Sequence, residues 1–349
     1  KLKMIPKVFN GIFIVFLIGS GFLFASNFPV FKLPTPTGSY IVGTQYIDVT
    51  FNREEIITTN KKDNRKVSVK IWYPANGESK KQDVYIDKGG RNGFAKKYGL
   101  PNATFDYLNK IKTHIYKEAQ PYNKKFPVLI FSHGYNSKAN NYYSFLSELA
   151  SHGYIIFAIN HTYESTGSTF MDGSEVYFDY DYFHKIQENT WSTMEPVIAA
   201  FKENASFTDR HPIVKKGLLE YFVKDIVERW SNDINDMISV LDSLNNKGVF
   251  KNKLDLNKIG VFGHSRGGGA AGEALLKDQR ITVGVNLDGV QWGDIVTTAF
   301  EKPFLFISAD WPESHEDLNS HAYINKSKDV FYEAKILGTA HSNFMDIPL

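Results

Sequence analysis

The chain has 349 residues, enough for one large domain or two ordinary ones, and 42% are hydrophobic, so a sizeable core forms and global disorder is excluded. A formal net charge of +2 gives no electrostatic footprint for nucleic acid. With no cysteine in the chain, disulfides, cysteine-ligated metals and a thiol nucleophile are ruled out.

Lys1, Lys3 and Lys7 precede an apolar run from Val8 to Ala25. Such a run has no polar face, and it is long enough for a minimal span or a signal-peptide core. Phe22, Leu23 and Phe24 leave no small-x-small cleavage site, so residues 1–30 are expected to be an uncleaved membrane anchor, ahead of a signal segment. Its basic end would face the cytoplasm, leaving residues 31–349 outside as one domain, membrane-anchored or secreted. The chain starts at Lys rather than Met, so an upstream portion is expected to be missing.

After a Pro34 and Pro36 linker, strands are predicted at Tyr40–Phe51, Val67–Tyr73, Pro127–Ser132, Ile155–Ile159, Lys258–Gly263, Thr282–Asp288, Phe304–Ser308 and Val330–Ile336. Continuous apolar runs such as Val128-Leu129-Ile130-Phe131 suit strands covered on both faces. Between strands, Trp230, Ile234, Met237, Leu241 and Leu244 share one helical face. The alternation implies an α/β fold with a mostly parallel, doubly wound sheet.

Two stretches break the alternation. Residues 78–125 are polar, with eleven Lys/Arg against four Asp/Glu between Lys80 and Lys125, and are expected to be a solvated surface excursion. Residues 164–218 form an aromatic insertion holding Phe170, Tyr177, Phe178, Tyr180, Tyr182, Phe183 and Trp191. A cap over an active site and an ordinary satellite core fit it equally. Its Asp172, Glu175, Asp179 and Asp181 argue against docking on an anionic bilayer.

Gly263-His264-Ser265-Arg266-Gly267 is a G-x-S-x-G pattern between the strand ending at Phe262 and a Gly/Ala-rich helix start. A nucleophile elbow belongs at such a strand–turn–helix junction, so Ser265 is the candidate nucleophile of an α/β-hydrolase fold. A serine hydroxyl needs a base, and a histidine must follow it. His341 comes directly after the last predicted strand and is chosen. His315 and His321, in the polar stretch Pro312–Asn325, are expected at the surface. The acid is Asp288 or Asp310, each at a strand end, with the edge to Asp310 because an acid after the later strand is common in this fold. The oxyanion hole is expected from the Arg266 and Tyr135 amides, the latter in the loop Ser132-His133-Gly134-Tyr135. His133 and His264 read as hydrogen-bonded supports.

The chain resembles the secreted platelet-activating-factor acetylhydrolases, the lipoprotein-associated phospholipase A type. The marks are Leu33-Pro34-x-Pro36-Thr37-Gly38 with Val42-Gly43, Ile71-Trp72-Tyr73-Pro74-Ala75, and Phe131-Ser132-His133-Gly134. Leu149-Ala150-Ser151-His152-Gly153-Tyr154, Gly263-His264-Ser265-x-Gly267-Gly268, Leu287-Asp288 and Gly338-x-x-His341-x-Asn343-Phe344 complete them. The resemblance implies a calcium-independent serine hydrolase, without cofactor or metal, that removes short or oxidised acyl groups from phospholipids. It moves the triad acid to Asp288, leaving Asp310 as the alternative, and maps the oxyanion hole onto Tyr135 and Arg266. The same triad would serve a general carboxylesterase or polyester hydrolase, and a non-catalytic binding protein on this fold is the reading from another class. Two departures stand out. Arg266 replaces an aromatic after the serine, placing a cation by the acyl or head-group site. The chain also stops at Leu349 without the usual closing helix, so a truncated C-terminus with one exposed sheet face is expected.

Overall fold

The computed structural model describes residues 5–27, 29–77, 81–311 and 313–346. Its strands are β1 (Ile41–Glu54), β2 (Asn64–Ala75), β3 (Ile115–Lys117), β4 (Phe126–Ser132), β5 (Ile155–Asn160), β6 (Gly167–Thr169), β7 (Glu175–Tyr177), β8 (Leu254–His264), β9 (Ile281–Leu287), β10 (Phe304–Ser308) and β11 (Phe331–Lys335). The helices are α1 (Ile5–Asn27), α2 (Lys88–Lys97), α3 (Tyr143–Ser151), α4 (Tyr180–Thr190), α5 (Glu195–Lys202), α6 (Phe207–Glu220), α7 (Val223–Asn246), α8 (Arg266–Lys277) and α9 (Glu313–Ala322). Nine strands form one sheet in the order β11-β10-β9-β8-β4-β5-β2-β1-β3, and β6 and β7 form a small hairpin. Only the β1–β2 and β2–β5 pairs of the large sheet are antiparallel. The rest run parallel, as the strand–helix alternation requires.

The period-two geometry of a strand divides the core between the two faces. On β5, Ile155, Phe157 and Ile159 pack with Trp230, Ile234 and Met237 of α7 and Ala270 and Ala274 of α8. Ile156 and Ala158 point the other way, toward Tyr143, Leu146 and Ala150 of α3. Helices on both faces of one sheet explain why β5 is buried along its whole length. At the far edge β11 is largely exposed, with Tyr332 58% and Leu337, just beyond it, 76% accessible.

Two expectations change. Residues 81–125 are not a solvated excursion, because Phe94 of α2 and Phe105 and Leu108 of a 3₁₀ helix (Asn102–Lys110) are buried in the second core, while residues 78–80 lie outside the described residues. Glycine lets α2 lie close: a Cβ on Gly93 would stand 2.1 Å from the Thr166 carbonyl oxygen. The helix buries its glycines and Phe94 while Lys96 faces outward, so lysine content alone misled. At the N-terminus, α1 leaves Phe9, Val15, Phe16 and Phe22 more than 60% accessible, yet no helix among the described residues is long and apolar enough to cross a membrane. The span expected there is therefore not found; Lys1 and Lys3 lie outside the described residues.

Candidate active site

β8 runs through the middle of the sheet and ends in a turn so tight that Ser265 has φ +58° and ψ −126°. A side chain at positive φ is strained, and the surrounding packing holds it there. Gly267 is part of that packing: a Cβ there would lie 2.2 Å from the Ser132 carbonyl oxygen and 2.4 Å from that of His133. The elbow thus presses against the end of β4 and the loop that follows it. Ser265 becomes the N-cap of α8, where unpaired backbone N–H groups concentrate positive potential.

The loop after β11 brings His341 to the same cavities as Ser265. His341 Nδ1 lies 2.6 Å from Asp288 Oδ2. A carboxylate can only accept, so Nδ1 carries the hydrogen and Nε2 keeps a lone pair. Asp288, directly after β9, is buried and also accepts from the Ala309 amide (2.7 Å) and Trp311 Nε1 (2.8 Å). Asp310 is placed differently. Its Oδ2 accepts from the Gly338 amide at 2.9 Å and its own amide donates to the Thr339 carbonyl, so it braces the loop that carries His341. No hydrogen bond given by the structure joins Asp310 to His341.

The Tyr135 and Arg266 amides donate to no protein acceptor among the described residues. Their two loops are tied together by a relay. The Gly134 amide donates to Tyr142 Oη (2.9 Å), which donates to His264 Nδ1 (2.8 Å), and His264 Nε2 donates to the His341 carbonyl (3.0 Å). Burial, with His341 beside it, pushes the His264 ring down to about 3, so it stays neutral and serves as a bridge. His133 is likewise held well below its ordinary value by burial and by His161. Its Nδ1 donates to the Gly134 carbonyl (2.7 Å) while Nε2 accepts from the His161 amide (3.2 Å).

Beneath this loop lies a support that no local motif announced. Ser132 Oγ is 2.8 Å from His161 Nε2, and His161 Nδ1 is 2.8 Å from Asp233 Oδ2, with all three side chains fully buried. The linkage copies the Ser-His-Asp order but has no route to solvent, and Arg65 locks its carboxylate at 2.7 Å. It acts as a brace. His161 also stacks on Trp230 at 4.0 Å. Buried Glu164, paired with Arg229 and accepting from Trp230 Nε1 at 2.7 Å, takes the Asn136 amide on its carbonyl and closes the support.

Ser265 stands between two cavities. One, of about 690 Å³, is walled by Trp191, Met194 and Ile198 of the 164–218 insertion together with Arg266, Trp292 and Trp311. The other, of about 680 Å³, is walled by Phe94, Phe105 and Leu108 from the stretch expected to be solvated, with Phe31, Tyr135 and Met345. In the insertion, Phe178 and Phe183 pack on Tyr135, at 5.1 and 5.6 Å between ring centroids. His321 corrects the sequence reading: it is fully buried, because α6 packs against α9 and sets Phe207 on its ring at 4.0 Å. The His315 side chain lies outside the described residues. Among the described residues, no group of three His, Asp or Glu could hold a metal ion.

The family described as platelet-activating factor acetylhydrolase, isoform II, matches residues 25–349. The platelet-activating factor acetylhydrolase of Canis lupus familiaris is 24% identical over 344 residues, covering 90% of this chain and 68% of that protein. That of Bos taurus is 25% identical, covering 92% and 70%. A probable 1-alkyl-2-acetylglycerophosphocholine esterase of Arthroderma benhamiae is 22% identical, covering 93% and 79%. Among solved structures, the ferulic acid esterase of Streptomyces cinnamoneus superposes with a TM-score of 0.65 at 21% identity, over 91% of this chain and 79% of that one, a likeness of fold. With the family match spanning the whole of the folded domain, the chain belongs to the platelet-activating factor acetylhydrolase, isoform II, family.

Proposed function

We propose that this chain is a serine ester hydrolase that removes short or modified acyl groups from phospholipids through an acyl-enzyme. The observation that carries the reading is the strained Ser265 at a helix N-terminus, sharing its cavities with a histidine whose far nitrogen is held by Asp288. His341 Nε2 takes the Ser265 proton as Oγ attacks the ester carbonyl. Asp288 keeps the imidazole in the tautomer that can do so and stabilises the imidazolium that forms. The Tyr135 and Arg266 amides receive the developing oxyanion. Protonated His341 hands its proton to the departing alkoxide, and a water activated by the same nitrogen then releases the acid. The acetyl-phospholipid substrate class rests on the family and on the names of its relatives.

Ser265→Ala should abolish hydrolysis of p-nitrophenyl butyrate and of an acetylated ether phospholipid while leaving the unfolding midpoint near that of the wild type. Undiminished turnover in that variant would sink the assignment. Each step above is carried by side chains and amides of the chain, so the wild type should keep its rate in excess EDTA, and a loss restored by calcium would count against the reading.

The extracytoplasmic placement and the membrane contact belong to the same proposal. The placement rests on the order of Lys1, Lys3 and Lys7 before the apolar run in the sequence. The membrane contact rests on the exposed apolar surface of α1, which leads through Pro29 and Phe31 into the wall of the second cavity. Flotation with phosphatidylcholine vesicles that survives removal of residues 1–28 would count against it.

A further inference from the structure

Buried cations in this fold are matched by carboxylates. Arg65 has Asp233 at 2.7 Å and Glu55 at 2.8 Å, Lys70 has Asp83 at 2.8 Å, Lys138 has Asp87, and Arg229 has Glu164. Arg266, next to the nucleophile, is not matched in this way. Its guanidinium lies 3.8 Å over the Tyr135 ring and 5.4 Å from that of Phe222, and its Nη1 is buried with no hydrogen-bond partner. Glu164 is the carboxylate whose field reaches it, but Arg229 Nε (3.0 Å) and Trp230 Nε1 (2.7 Å) already occupy that group. Burial accordingly pulls the Arg266 guanidinium below its ordinary pKa.

Stacking on aromatic faces offsets part of the cost of burying a cation, but it uses the face of the guanidinium, and although Tyr135 also hydrogen-bonds the group, the in-plane Nη1 donors stay unpartnered. The other acidic groups on the first cavity are engaged. Asp288 holds His341, and exposed Glu333 pairs with Lys326 at 2.5 Å. The apolar wall raises the strength of any charge contact made there, and the N-terminus of α8 adds to the positive potential.

We propose that Arg266 is an oxyanion subsite: the ester that reaches Ser265 carries a carboxylate or phosphate group that completes the hydrogen bonding of this guanidinium. The inference rests on the hydrolase reading above. Two sources share that chemistry, the phosphate of a phospholipid head group on the alcohol half and a terminal carboxylate on an oxidatively shortened acyl half.

The test compares kcat/KM ratios within each enzyme, so a general loss of rate cancels. One pair is p-nitrophenyl hydrogen glutarate against p-nitrophenyl hexanoate. The other is an alkyl-acetyl-glycerophosphocholine against the alkyl-acetyl-glycerol lacking the phosphocholine, both in the same detergent micelles. For at least one pair the wild type should favour the anionic member by about tenfold to a hundredfold, the usual worth of a charge-assisted hydrogen bond. Arg266→Met should bring that ratio near one, and Arg266→Lys should keep most of it. The responding pair identifies the source. Ratios equal in wild type and Arg266→Met overturn the subsite while leaving the hydrolase intact, whereas no ester turnover by the wild type overturns the hydrolase reading itself. If Arg266→Met does not fold, wild-type ratios near one for both pairs overturn the subsite.

Discussion

The two carboxylates that sequence reasoning left in competition can be separated by a pair of isosteric changes. Asp288 Oδ1 accepts from the Ala309 amide at 2.7 Å and from Trp311 Nε1 at 2.8 Å, while Oδ2 faces His341 Nδ1 at 2.6 Å. Trp311 Nε1 also reaches Oδ2 at 3.0 Å, so in Asp288→Asn it is the Ala309 amide that holds the amide oxygen at the Oδ1 position and turns the NH₂ group toward His341. The imidazole must then accept at Nδ1 and carry its hydrogen on Nε2, the tautomer that cannot take a proton from Ser265. A tautomer error of this kind costs about 10³–10⁴ in kcat, or roughly 4–5.5 kcal/mol of transition-state stabilisation. The fold should survive, since the Ala309 amide and Trp311 Nε1 keep an acceptor. In Asp310→Asn the new oxygen still accepts from the Gly338 amide at the surface, so kcat/KM should change by less than about threefold, the effect of ~0.5 kcal/mol. Turnover of p-nitrophenyl butyrate, with melting temperatures to confirm folding, decides the matter. Equal losses in the two variants, or Asp288→Asn retaining more than a tenth of wild-type kcat, would refute the reasoning.

Tyr142→Phe removes the hydroxyl between Gly134 and His264 and leaves a buried amide and a buried ring nitrogen unpaired. It should lower stability by about 1–3 kcal/mol in urea titrations and lower kcat more than it raises KM; an unchanged denaturation midpoint would argue against the relay. Gly267→Ala drives a methyl group into two carbonyl oxygens of the β4 loop, neither of which can rotate away. Soluble, fully active Gly267→Ala would mean that the elbow is looser than described. Glu273 predicts a pH effect. Burial pushes its carboxyl up to about 7 against the pull of Lys277, so the folded chain keeps a proton that the unfolded chain releases near its ordinary value of about 4.3. From there to pH 7 stability falls as pH rises, by about 1.4 kcal/mol per pH unit, and levels off above. The stability of the wild type relative to Glu273→Gln should therefore drop by roughly 2–3 kcal/mol between pH 5 and pH 8, and a constant difference across that range would overturn the assignment.

What could be read from the sequence follows the range of the interaction that fixes each feature. The elbow is local: strand, glycine, serine and helix start lie within a dozen residues, and the pattern 263–267 coincides with the strained turn itself. Strands β4 and β5 were legible for a related reason, since burial on both faces leaves a nearly uninterrupted apolar run. The choice of acid was not local. Residues 288 and 310 both leave the same edge of adjacent strands, and what separates them is which one the Ala309 amide and Trp311 indole surround. The wall formed by Phe94, Phe105 and Leu108 was missed because its apolar residues are spaced among polar ones, including the exposed Lys96 and Lys110. The brace beneath the oxyanion loop joins Arg65, Ser132, His161 and Asp233 across as many as 168 positions of the chain. No periodicity marks such residues, because they become neighbours only in the packed fold: β2 lies beside β5, β5 beside β4, and α7 brings Asp233 to them. Arg266 shows the reverse. Its identity stood out in the motif, but only the packed structure shows that Nη1 is buried without a partner and that Glu164 and Asp288 are already engaged, and that is what turns an unusual residue into a candidate contact for substrate.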